Sequence, residues 1–401
     1  MTRKEFIETS MKMGVGIPFL SALMMESCSK SELEFPEFKT DFKGKVLIIG
    51  AGAAGLSAGY LLKRYGVEFE ILEAAPVYGG RLKKAMGFAD FPIDLGAEWI
   101  HVHPVVLSDM LNNKELDANI DVLVYNPQTI QNWHNGKLKS HNYIRGFYSE
   151  WKFKSSTWFD FFETYMVSEI ANSIKLNKAV TEINYAGNQV QVKTADGELY
   201  EADKVLISTS VKTFQNQMIQ FEPALPENKI QAFSKITMGD GIKVFIEFSE
   251  RFYPDMLAFG SILSALEEEE KFYYDAAFRK GSNRHILGLF AINEKASVYT
   301  SLETEADIIQ KILTELDEIF DGEASPNYMQ HIIQNWSAQP YIGGAYSYSF
   351  TGDQEDIVKE ISEPLSGKLF FAGEAHSIEH QATVHGACQS AYISIEKMLR
   401  G

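Results

Sequence analysis

Three glycines, Gly50, Gly52 and Gly55, constrain the fold of this chain more than any other feature, because they join a short apolar run to an amphipathic stretch. The apolar run, residues 45–50, is typical of a parallel strand that is buried on both faces. Residues 56–65 have helical periodicity, and a second strand-like run, residues 68–72, follows the turn at Gly66. The pattern predicts a βαβ unit and therefore an α/β fold.

The spacing G-x-G-x-x-G at a strand-to-helix junction indicates a dinucleotide site. The first glycine permits a tight turn, the second lets a pyrophosphate approach the backbone, and the third lets the helix pack closely on the strand. Ala53 and Ala54 belong to the same loop, where the N–H groups and partial positive charge of a helix N-terminus attract phosphates. Glu73 ends the second strand and is placed to accept hydrogen bonds from ribose hydroxyls. The alternative for Glu73 is an ordinary surface acid.

The glycine fingerprint alone does not distinguish NAD from FAD. The sequence Gly79-Gly80-Arg81 shortly after Glu73 favours FAD. Two glycines let the chain lie close to a pyrophosphate, and the arginine supplies a fixed charge with forked donors. The alternative is a turn followed by a solvated arginine.

Four motifs in series resemble those of the flavin-containing amine oxidases, with polyamine oxidases and flavin histone demethylases closest in motif. The likeness covers residues 44–100 and most of 176–400. It implies a split Rossmann-type FAD-binding domain, with a second α+β substrate domain that contains a mixed sheet. The motifs are E-A at 73–74, G-G-R at 79–81, D-L-G-A-E-W-I-H at 94–101 and F-A-G-E at 371–374.

The implied domains are discontinuous. The FAD-binding domain comprises residues 44–100, 173–235 and 364–401, and the substrate domain comprises residues 101–172 and 236–363. Residues 101–172 are aromatic and polar with weak helical patterning, and this segment is shorter than in larger relatives. Elsewhere the patterns predict a meander over 178–209, strands over 243–248 and 369–372, and helices over 303–320 and 384–399.

The resemblance also assigns residues to the cofactor. It implies that the stretch from Gly96 to Trp99 lies along the flavin and that Glu374 contacts the ribityl and phosphate region. The backbone of Val180 is expected at the adenine, although Val180 is equally consistent with a core position. The residues so assigned are Gly96, Ala97, Glu98, Trp99, Val180, Glu374, Thr383 and Val384.

Thr383 and Val384 precede a helix that the resemblance brings to the pyrimidine end of the flavin. A helix N-terminus there stabilises the negative charge of a reduced flavin. The neighbouring His385 is also consistent with a packing or capping role.

Three matches bear on the chemistry. The resemblance implies that Lys243 holds a water against flavin N5, that Tyr346 forms one wall of an aromatic enclosure around the substrate nitrogen, and that His101 meets the substrate. A lysine in an otherwise apolar strand needs a partner or a function. Each residue also has a structural alternative. Lys243 is consistent with a snorkelling lysine at a strand end, Tyr346 with a core tyrosine, and His101 with a residue at the rim of the pocket.

Departures from the family pattern refine this expectation. Ala345 stands where monoamine oxidases carry the cysteine that bonds to flavin, so we expect non-covalent FAD. Thr383 stands in place of their second cage tyrosine, which favours the polyamine-oxidase side of the family. Val77 replaces an arginine near the pyrophosphate.

The expected reaction transfers hydride from the α-carbon of an amine to flavin N5. Water then hydrolyses the imine to an aldehyde, and oxygen is reduced to hydrogen peroxide. Two alternatives remain open, an FAD-dependent desaturase or dehydrogenase of an apolar substrate with another acceptor, and a non-catalytic flavin-binding scaffold.

Composition excludes several other classes. With 54 acidic and 37 basic residues the net charge is −17, which argues against nucleic-acid binding and either concentrates a cationic substrate or only confers solubility. Two cysteines exclude a disulfide framework and a multi-cysteine metal site. The H-x-x-E-H pattern at 376–380 resembles an inverted zinc-protease motif, but it precedes a helix instead of lying on one, so no metal site is predicted.

Residues 1–28 are expected to be an export signal, followed by a polar linker over 29–43. Arg3 and Lys4 precede a short apolar segment that ends near Cys28, as in a twin-arginine signal with lysine in the second basic position. Cys28 resembles a lipoprotein cysteine, so a lipid anchor there is the only membrane contact that we expect. The expected location is periplasmic, or cytoplasmic if the signal is not used. The sequence does not indicate the oligomeric state.

Overall fold

The computed structural model describes residues 33–113, 120–141, 149–260 and 270–400. The expected export signal, Cys28 and the start of the linker lie outside these ranges. Within the described ranges, no helix combines the length and apolar character needed to cross a bilayer.

The strands are numbered in chain order. They are β1 Lys45–Ile49, β2 Glu68–Leu72, β3 Lys84–Ala85, β4 Ile93–Asp94, β5 Trp99–Ile100, β6 Val122–Tyr125, β7 Ile130–His134, β8 Lys137–Ser140, β9 Glu150–Phe153, β10 Ile174–Lys175, β11 Val180–Asn184, β12 Val190–Thr194, β13 Leu199–Ala202, β14 Lys204–Ile207, β15 Gln220–Glu222, β16 Ile236–Met238, β17 Gly241–Phe248, β18 Met256–Phe259, β19 Lys271–Asp275, β20 His285–Ile292, β21 Tyr328–Asn335, β22 Ser347–Phe350 and β23 Leu369–Phe371.

The helices are numbered in the same way. They are α1 Ala53–Arg64, α2 Val105–Leu111, α3 Trp158–Phe162, α4 Ser168–Ile170, α5 Val211–Gln215, α6 Glu227–Ser234, α7 Asn293–Thr300, α8 Glu305–Ile319, α9 Ala324–Asn327, α10 Gln354–Ser362 and α11 Val384–Arg400. A π-helical turn, Glu163–Val167, links α3 to α4, and 3-10 turns lie at Ala171–Ser173 and Glu374–His376.

A parallel five-stranded sheet in the order β10-β2-β1-β14-β23 forms the first half of the molecule. Successive residues of β1 face opposite sides of this sheet. Val46 and Ile48 pack in the cluster that contains α1 and α11, whereas Leu47 and Ile49 pack against the four-stranded sheet β13-β12-β11-β15. Burial on both faces explains why β1 is an uninterrupted apolar run.

A mixed seven-stranded sheet in the order β21-β17-β20-β19-β18-β7-β8 forms the second half. Its neighbours are antiparallel except for the parallel pair β7 and β18. The amphipathic helix α8 buries one face, with side chains three or four residues apart such as Ile312 and Leu316, against one face of the sheet. The opposite face packs on a separate apolar cluster that includes β4 and β6.

A three-stranded antiparallel sheet, β5-β9-β6, packs on the apolar clusters of both halves and contains Trp99 and Ile100 of the predicted D-L-G-A-E-W-I-H motif. Its register places Trp99 opposite Lys152 and Ile100 opposite Trp151. The two remaining sheets are the pairs β3-β4 and β16-β22.

The predicted α/β fold with a mixed sheet is confirmed, including the βαβ unit β1-α1-β2. Helix α1 begins three residues before the periodic stretch, because Ala53 and Ala54 of the glycine loop are already helical. The weak helical patterning expected for residues 101–172 is confirmed at the two ends of the segment, where α2, α3 and α4 lie, and is wrong in its middle. Strands β6 to β9 lie there, since aromatic and β-branched side chains fit a half-buried sheet surface. The domain boundaries stay a prediction.

Candidate active site

The glycine loop between β1 and α1 forms an open cradle. Gly50 has φ +100°, a conformation that favours glycine, and its N–H donates to Leu72 O at 2.8 Å. A Cβ on Gly55 would lie 1.9 Å from Gly50 O, so only glycine lets helix and strand approach this closely. A Cβ on Gly52 would meet no atom within 4 Å, and no side chain caps the helix there. The N–H groups at the start of α1 therefore face open space.

Glu73 closes the cradle as a buried carboxylate, not as a surface acid. Its Oε2 accepts from Ala51 N at 2.6 Å and its Oε1 accepts from Ala75 N at 2.8 Å. Burial raises the pKa of Glu73, and these backbone donors oppose the rise. The carboxylate is thus fixed at the end of β2, where an adenosine ribose is expected.

The predicted G-G-R segment lies directly against the cradle. Gly79 N donates to Ala51 O at 2.7 Å, and a Cβ on Gly80 would come within 3.3 Å of Gly52 Cα. Arg81 is not simply solvated, since it donates at 2.9 Å both to Glu374 Oε1 and to the carbonyl of Ala345.

Glu374 joins three separate segments of the chain. Besides the Arg81 bond, its Oε1 accepts from Ser347 N at 3.1 Å, and its Oε2 accepts from Ser347 Oγ at 2.5 Å and from Ala382 N at 3.2 Å. The carboxylate is buried. Tyr346 is half-buried, and its two chain neighbours are held from either side, Ala345 through its carbonyl by Arg81 and Ser347 by Glu374.

The N-terminus of α11 is capped by Thr383. Its Oγ1 accepts from Gly386 N at 3.0 Å and donates to His380 O at 2.8 Å. Val384 is buried beside it. His385 is 2% exposed, and its Nε2 has no hydrogen-bond partner. Burial, with the positive potential of His380 and His101, lowers the pKa of His385 to about 3, which keeps the ring neutral.

These features test whether a dinucleotide fits. Buried polar atoms nearly always have partners, so an orphan needs an explanation. Thr209 Oγ1 is such an orphan, and it follows Ser208, whose Oγ donates to Gly50 O at 3.1 Å. An uncapped helix N-terminus, the open side of Gly52 and the orphan atoms of Thr209 and His385 all suit a polar ligand that carries phosphates. The residues present fit FAD.

Lys243 is buried at the seam between the two halves. Its Nζ donates to Glu98 Oε2 at 2.6 Å, to Asp94 O at 2.8 Å and to Gly96 O at 3.2 Å. At 4% exposure it does not snorkel to solvent. An ammonium has three N–H donors, and these three acceptors use all of them. Lys243 can therefore hold a water only by exchanging one of these bonds.

Glu98 also accepts a hydrogen bond from a second ammonium group, that of Lys152. The sequence analysis did not predict Lys152 as a site residue. Lys152 Nζ donates to Glu98 Oε1 at 2.5 Å and lies 4.8 Å from the centre of the Trp99 ring. Tyr274 Oη donates to Glu98 Oε2 at 2.5 Å. We call Glu98, Lys152, Lys243 and Tyr274 the buried cation cluster. The available signal was the position of Lys152 between two aromatic residues, Trp151 and Phe153, in β9.

The charges in and beside the buried cation cluster act on one another. Burial would raise the pKa of Glu98, but the two ammonium groups outweigh it and hold that pKa well below its usual range. Burial and the charge of Glu98 raise the pKa of Asp94, which favours its neutral form. The cluster therefore combines two positive charges with one negative charge.

The other predicted residues lie at the edge of this seam or farther along the chain. His101 is half-exposed, with its Nδ1 3.5 Å from Glu150 Oε2. Trp99 is half-buried and packs edge-on to Tyr125, with ring centres 5.2 Å apart. Val180 begins β11 and is half-buried.

The H-x-x-E-H segment does not lie on a helix. His376 ends a 3-10 turn, and its Nδ1 lies 3.0 Å from Ser362 Oγ. Burial lowers the pKa of His376 to about 3. Among the residues that the structure describes, no group of three ligating side chains could hold a metal ion.

Comparison with known proteins accords with this geometry. Residues 162–394 match the model of the family described as flavin containing amine oxidoreductase, and residues 48–113 match that of an NAD(P)-binding Rossmann-like domain. Human lysine-specific histone demethylase 2 is 25% identical over 89% of this chain and 54% of its own length. Polyamine oxidase 1 of Zea mays is 23% identical over 88% of this chain and 90% of its own length.

Solved structures share the fold. The cyclohexylamine oxidase of Brevibacterium oxydans superposes with a TM-score of 0.74 and 15% identity, over 90% of this chain and 99% of the oxidase. At that identity the likeness bears on the fold alone. The chain spans about half the length of several of the curated relatives that it matches, including the demethylase. The family match covers more than half of the chain and confirms FAD, not NAD, as the expected cofactor. The chain belongs to the flavin-containing amine oxidoreductase family.

Proposed function

We propose that this chain binds FAD non-covalently and oxidises a small-molecule amine, with oxygen as the final acceptor. The observation that carries the proposal is the position of the buried Lys243 ammonium on the same seam as the glycine cradle. Bound FAD would supply the hydride acceptor that amino-acid side chains lack.

A continuous series of backbone contacts connects the cradle to the lysine. Gly80 lies on Gly52, and Arg81 follows it in the chain. A Cβ on Gly96 would lie 1.7 Å from Arg81 O, so this glycine packs directly under the arginine. Lys243 binds the carbonyl of Gly96. A dinucleotide that extends from the cradle along this series of residues would bring its reactive end to the ammonium.

The residues of the chain divide the work of binding and orientation. The N–H groups at Gly52 and Ala53 would hold the pyrophosphate, and Glu73 would hold the ribose. Lys243 would position a water by giving up its longest bond, the one to Gly96 O. Trp99 and Tyr346 are half-buried, and their rings would exclude water around the amine.

The amine must reach this seam as the neutral base, because its nitrogen lone pair assists the departure of hydride. The net charge of −17 would concentrate cationic amines near the protein. Similarity to polyamine oxidase 1 and to the fold of a putrescine oxidase supports this substrate class. His101, beside Glu150 at the rim, would meet the substrate as it enters.

Two further expectations belong to this proposal. Ala345 offers no thiol, and Cys388, the one cysteine in the described ranges, is buried beside Ser57, so FAD would remain non-covalent. Residues 1–28 would export the protein, with a lipid at Cys28 if that cysteine is processed. Acid precipitation that leaves all yellow colour in solution, and the mass of the mature N-terminus, test these two points.

The decisive experiment is anaerobic spectroscopy of the full chain with a panel of primary amines, polyamines and amino acids. We expect at least one amine to bleach the oxidised flavin, and air to restore the colour with release of hydrogen peroxide. Lys243→Met should slow reduction or reoxidation at least tenfold, about 1.4 kcal/mol. Lys83→Met, which loses only a bond to Gln334, is the matched control.

Two outcomes contradict the proposal. A folded protein that purifies colourless and refuses added FAD has no functional cradle. A yellow protein that no amine bleaches is not an amine oxidase, and bleaching by an apolar substrate with another acceptor would identify a dehydrogenase instead.

A further inference from the structure

Lys152 is among the most enclosed charged groups that the structure describes. Its side chain is 1% exposed, and Glu98 is its hydrogen-bonding partner. Three rings surround the ammonium, with Nζ 4.8 Å from the centre of the Trp99 ring, 5.2 Å from that of Tyr274 and 5.5 Å from that of Tyr125. Aromatic faces attract a cation, and most strongly where it is desolvated. Lys152 is thus held where it contacts Glu98 and cannot meet a substrate.

Glu98 in turn has both oxygens engaged. Oε1 accepts from Lys152, and Oε2 accepts from Lys243 and Tyr274. Because both of its oxygens accept hydrogen bonds, the carboxylate cannot rotate, and it cannot turn both oxygens toward one partner. Of the three bonds made by Lys243, those to Glu98 and Asp94 O are short, and the one to Gly96 O is long at 3.2 Å.

We propose that Lys152 and Glu98 are positioning residues for Lys243, because Lys152 fixes Glu98, and Glu98 fixes the Lys243 ammonium so that only its bond to Gly96 O exchanges. The inference rests on the proposed function, in which Lys243 acts beside bound FAD. It assigns a task to a residue outside the predicted site. Lys152 would act through Lys243 and not as an independent charge.

The rival explanation is that Lys152 only stabilises the fold. A buried ammonium paired with a carboxylate can be retained without any role in chemistry. The two explanations differ in one measurable respect. A structural role predicts no change in the properties of bound flavin, whereas positioning predicts a change that depends on the presence of Lys243.

A double-mutant cycle on the reduction potential of the FAD-loaded full chain separates them. The variants are Lys152→Met, Lys243→Met and the double variant, titrated with redox dyes and without any amine. Without Lys152, Glu98 and therefore the Lys243 ammonium would be less well fixed. A less well fixed Lys243 ammonium would stabilise the reduced, negatively charged form of the flavin less. We expect Lys152→Met to lower the equilibrium constant for reduction at least tenfold, about 30 mV for a two-electron couple. In the Lys243→Met background the same change should have less than a threefold effect.

Tyr274→Phe provides a second, milder test if Lys152→Met does not fold. It keeps the ring beside Lys152 and removes the hydroxyl bond to Glu98. We expect a smaller shift in potential that also disappears in the Lys243→Met background. Lys152→Arg, which keeps the charge, should restore part of the potential lost in Lys152→Met.

Each outcome has a distinct meaning. Equal shifts in both backgrounds show that Lys152 acts as an independent charge, and no shift in either shows a structural role, so both results overturn the inference. Coupling without reduction by any amine overturns the proposed function alone. Amine turnover without coupling overturns this inference alone, and a chain that refuses FAD overturns both.

Discussion

The phosphate cradle and the buried cation cluster lie on one seam but are built in opposite ways. The cradle uses backbone atoms from one βαβ unit, between Gly50 and Glu73. The cluster uses side chains from different parts of the chain, with Lys152 on β9, Lys243 on β17 and Tyr274 on β19 gathered around Glu98. A local turn can therefore specify the first, whereas only the completed tertiary structure brings the second together.

The two regions also differ in how they respond to the substitution of a single side chain. The backbone dipoles of the cradle remain when one side chain is replaced. Substitutions in the cradle therefore do harm mainly by steric clash. The cluster balances desolvated charges, and removing one member leaves the others without a counter-charge. We therefore expect substitutions that remove a charge from the cluster to cause its largest losses of stability.

Replacing the central carboxylate should have the largest effect. Glu98→Gln leaves the ammonium groups of Lys152 and Lys243 buried without an anion. We expect the free energy of unfolding of the protein without FAD to fall by about 3–5 kcal/mol, measured by urea titration. The matched control is Glu70→Gln, which breaks a partly exposed pair with Lys45 and should cost less than about 1 kcal/mol. If Glu98→Gln and Glu70→Gln lowered the free energy of unfolding equally, the cluster would not depend on buried charge, and the distinction between the two regions would be lost.

Two alanine substitutions in the cradle should give a smaller but more discriminating result. Gly55→Ala places a methyl group 1.9 Å from Gly50 O and should lower the free energy of unfolding by about 1–3 kcal/mol. Gly52→Ala meets open space at an ordinary φ of −81° and should change it by less than about 0.5 kcal/mol. FAD affinity should nonetheless fall at least tenfold in Gly52→Ala. A stable Gly55→Ala protein, or unaltered FAD binding by Gly52→Ala, would contradict the assigned geometry.

His376 sharpens the electrostatic side of the comparison at acid pH, because its half-buried position and the nearby charge of Lys229 both disfavour its protonated form. Its folded pKa of about 3 lies below the ordinary value of 6.5, so the unfolded chain binds the proton more readily. The stabilisation is complete above pH 6.5 and is lost as pH falls toward 3. Between pH 6 and 4, His376→Gln should reduce the slope of unfolding free energy against pH by about 1.4 kcal/mol per unit. His134→Gln on β7 is the control, and an unchanged slope in His376→Gln would contradict the prediction.

The sequence predicted the parts of the site that depend on local structure. The glycine loop, Glu73 and the Gly79-Gly80-Arg81 segment are close together in the chain, and turn chemistry defines them. Lys243 could also be found, because a lysine in an apolar strand is an exception to the pattern of burial.

Lys152 was missed for the opposite reason. Its partner Glu98 directly precedes β5, and only the pairing of β5 with β9, which no local periodicity encodes, brings the two residues together. The aromatic segment around Lys152 has the weak pattern of a half-buried sheet. The ion pair of Arg81 with Glu374 joins residues that only the parallel sheet brings together. Long-range pairing, not propensity, decides both contacts.

The strand order β10-β2-β1-β14-β23 has a consequence for synthesis. A ribosome releases β1 and β2 early, yet the neighbour of β1 on its other edge emerges only with Lys204–Ile207, and the outer strand only with Leu369–Phe371. Until then the nascent first strand presents an unpaired edge and an uncovered apolar face, which can pair with other chains. The sheet around the first strand is therefore complete only when nearly the whole polypeptide has been made.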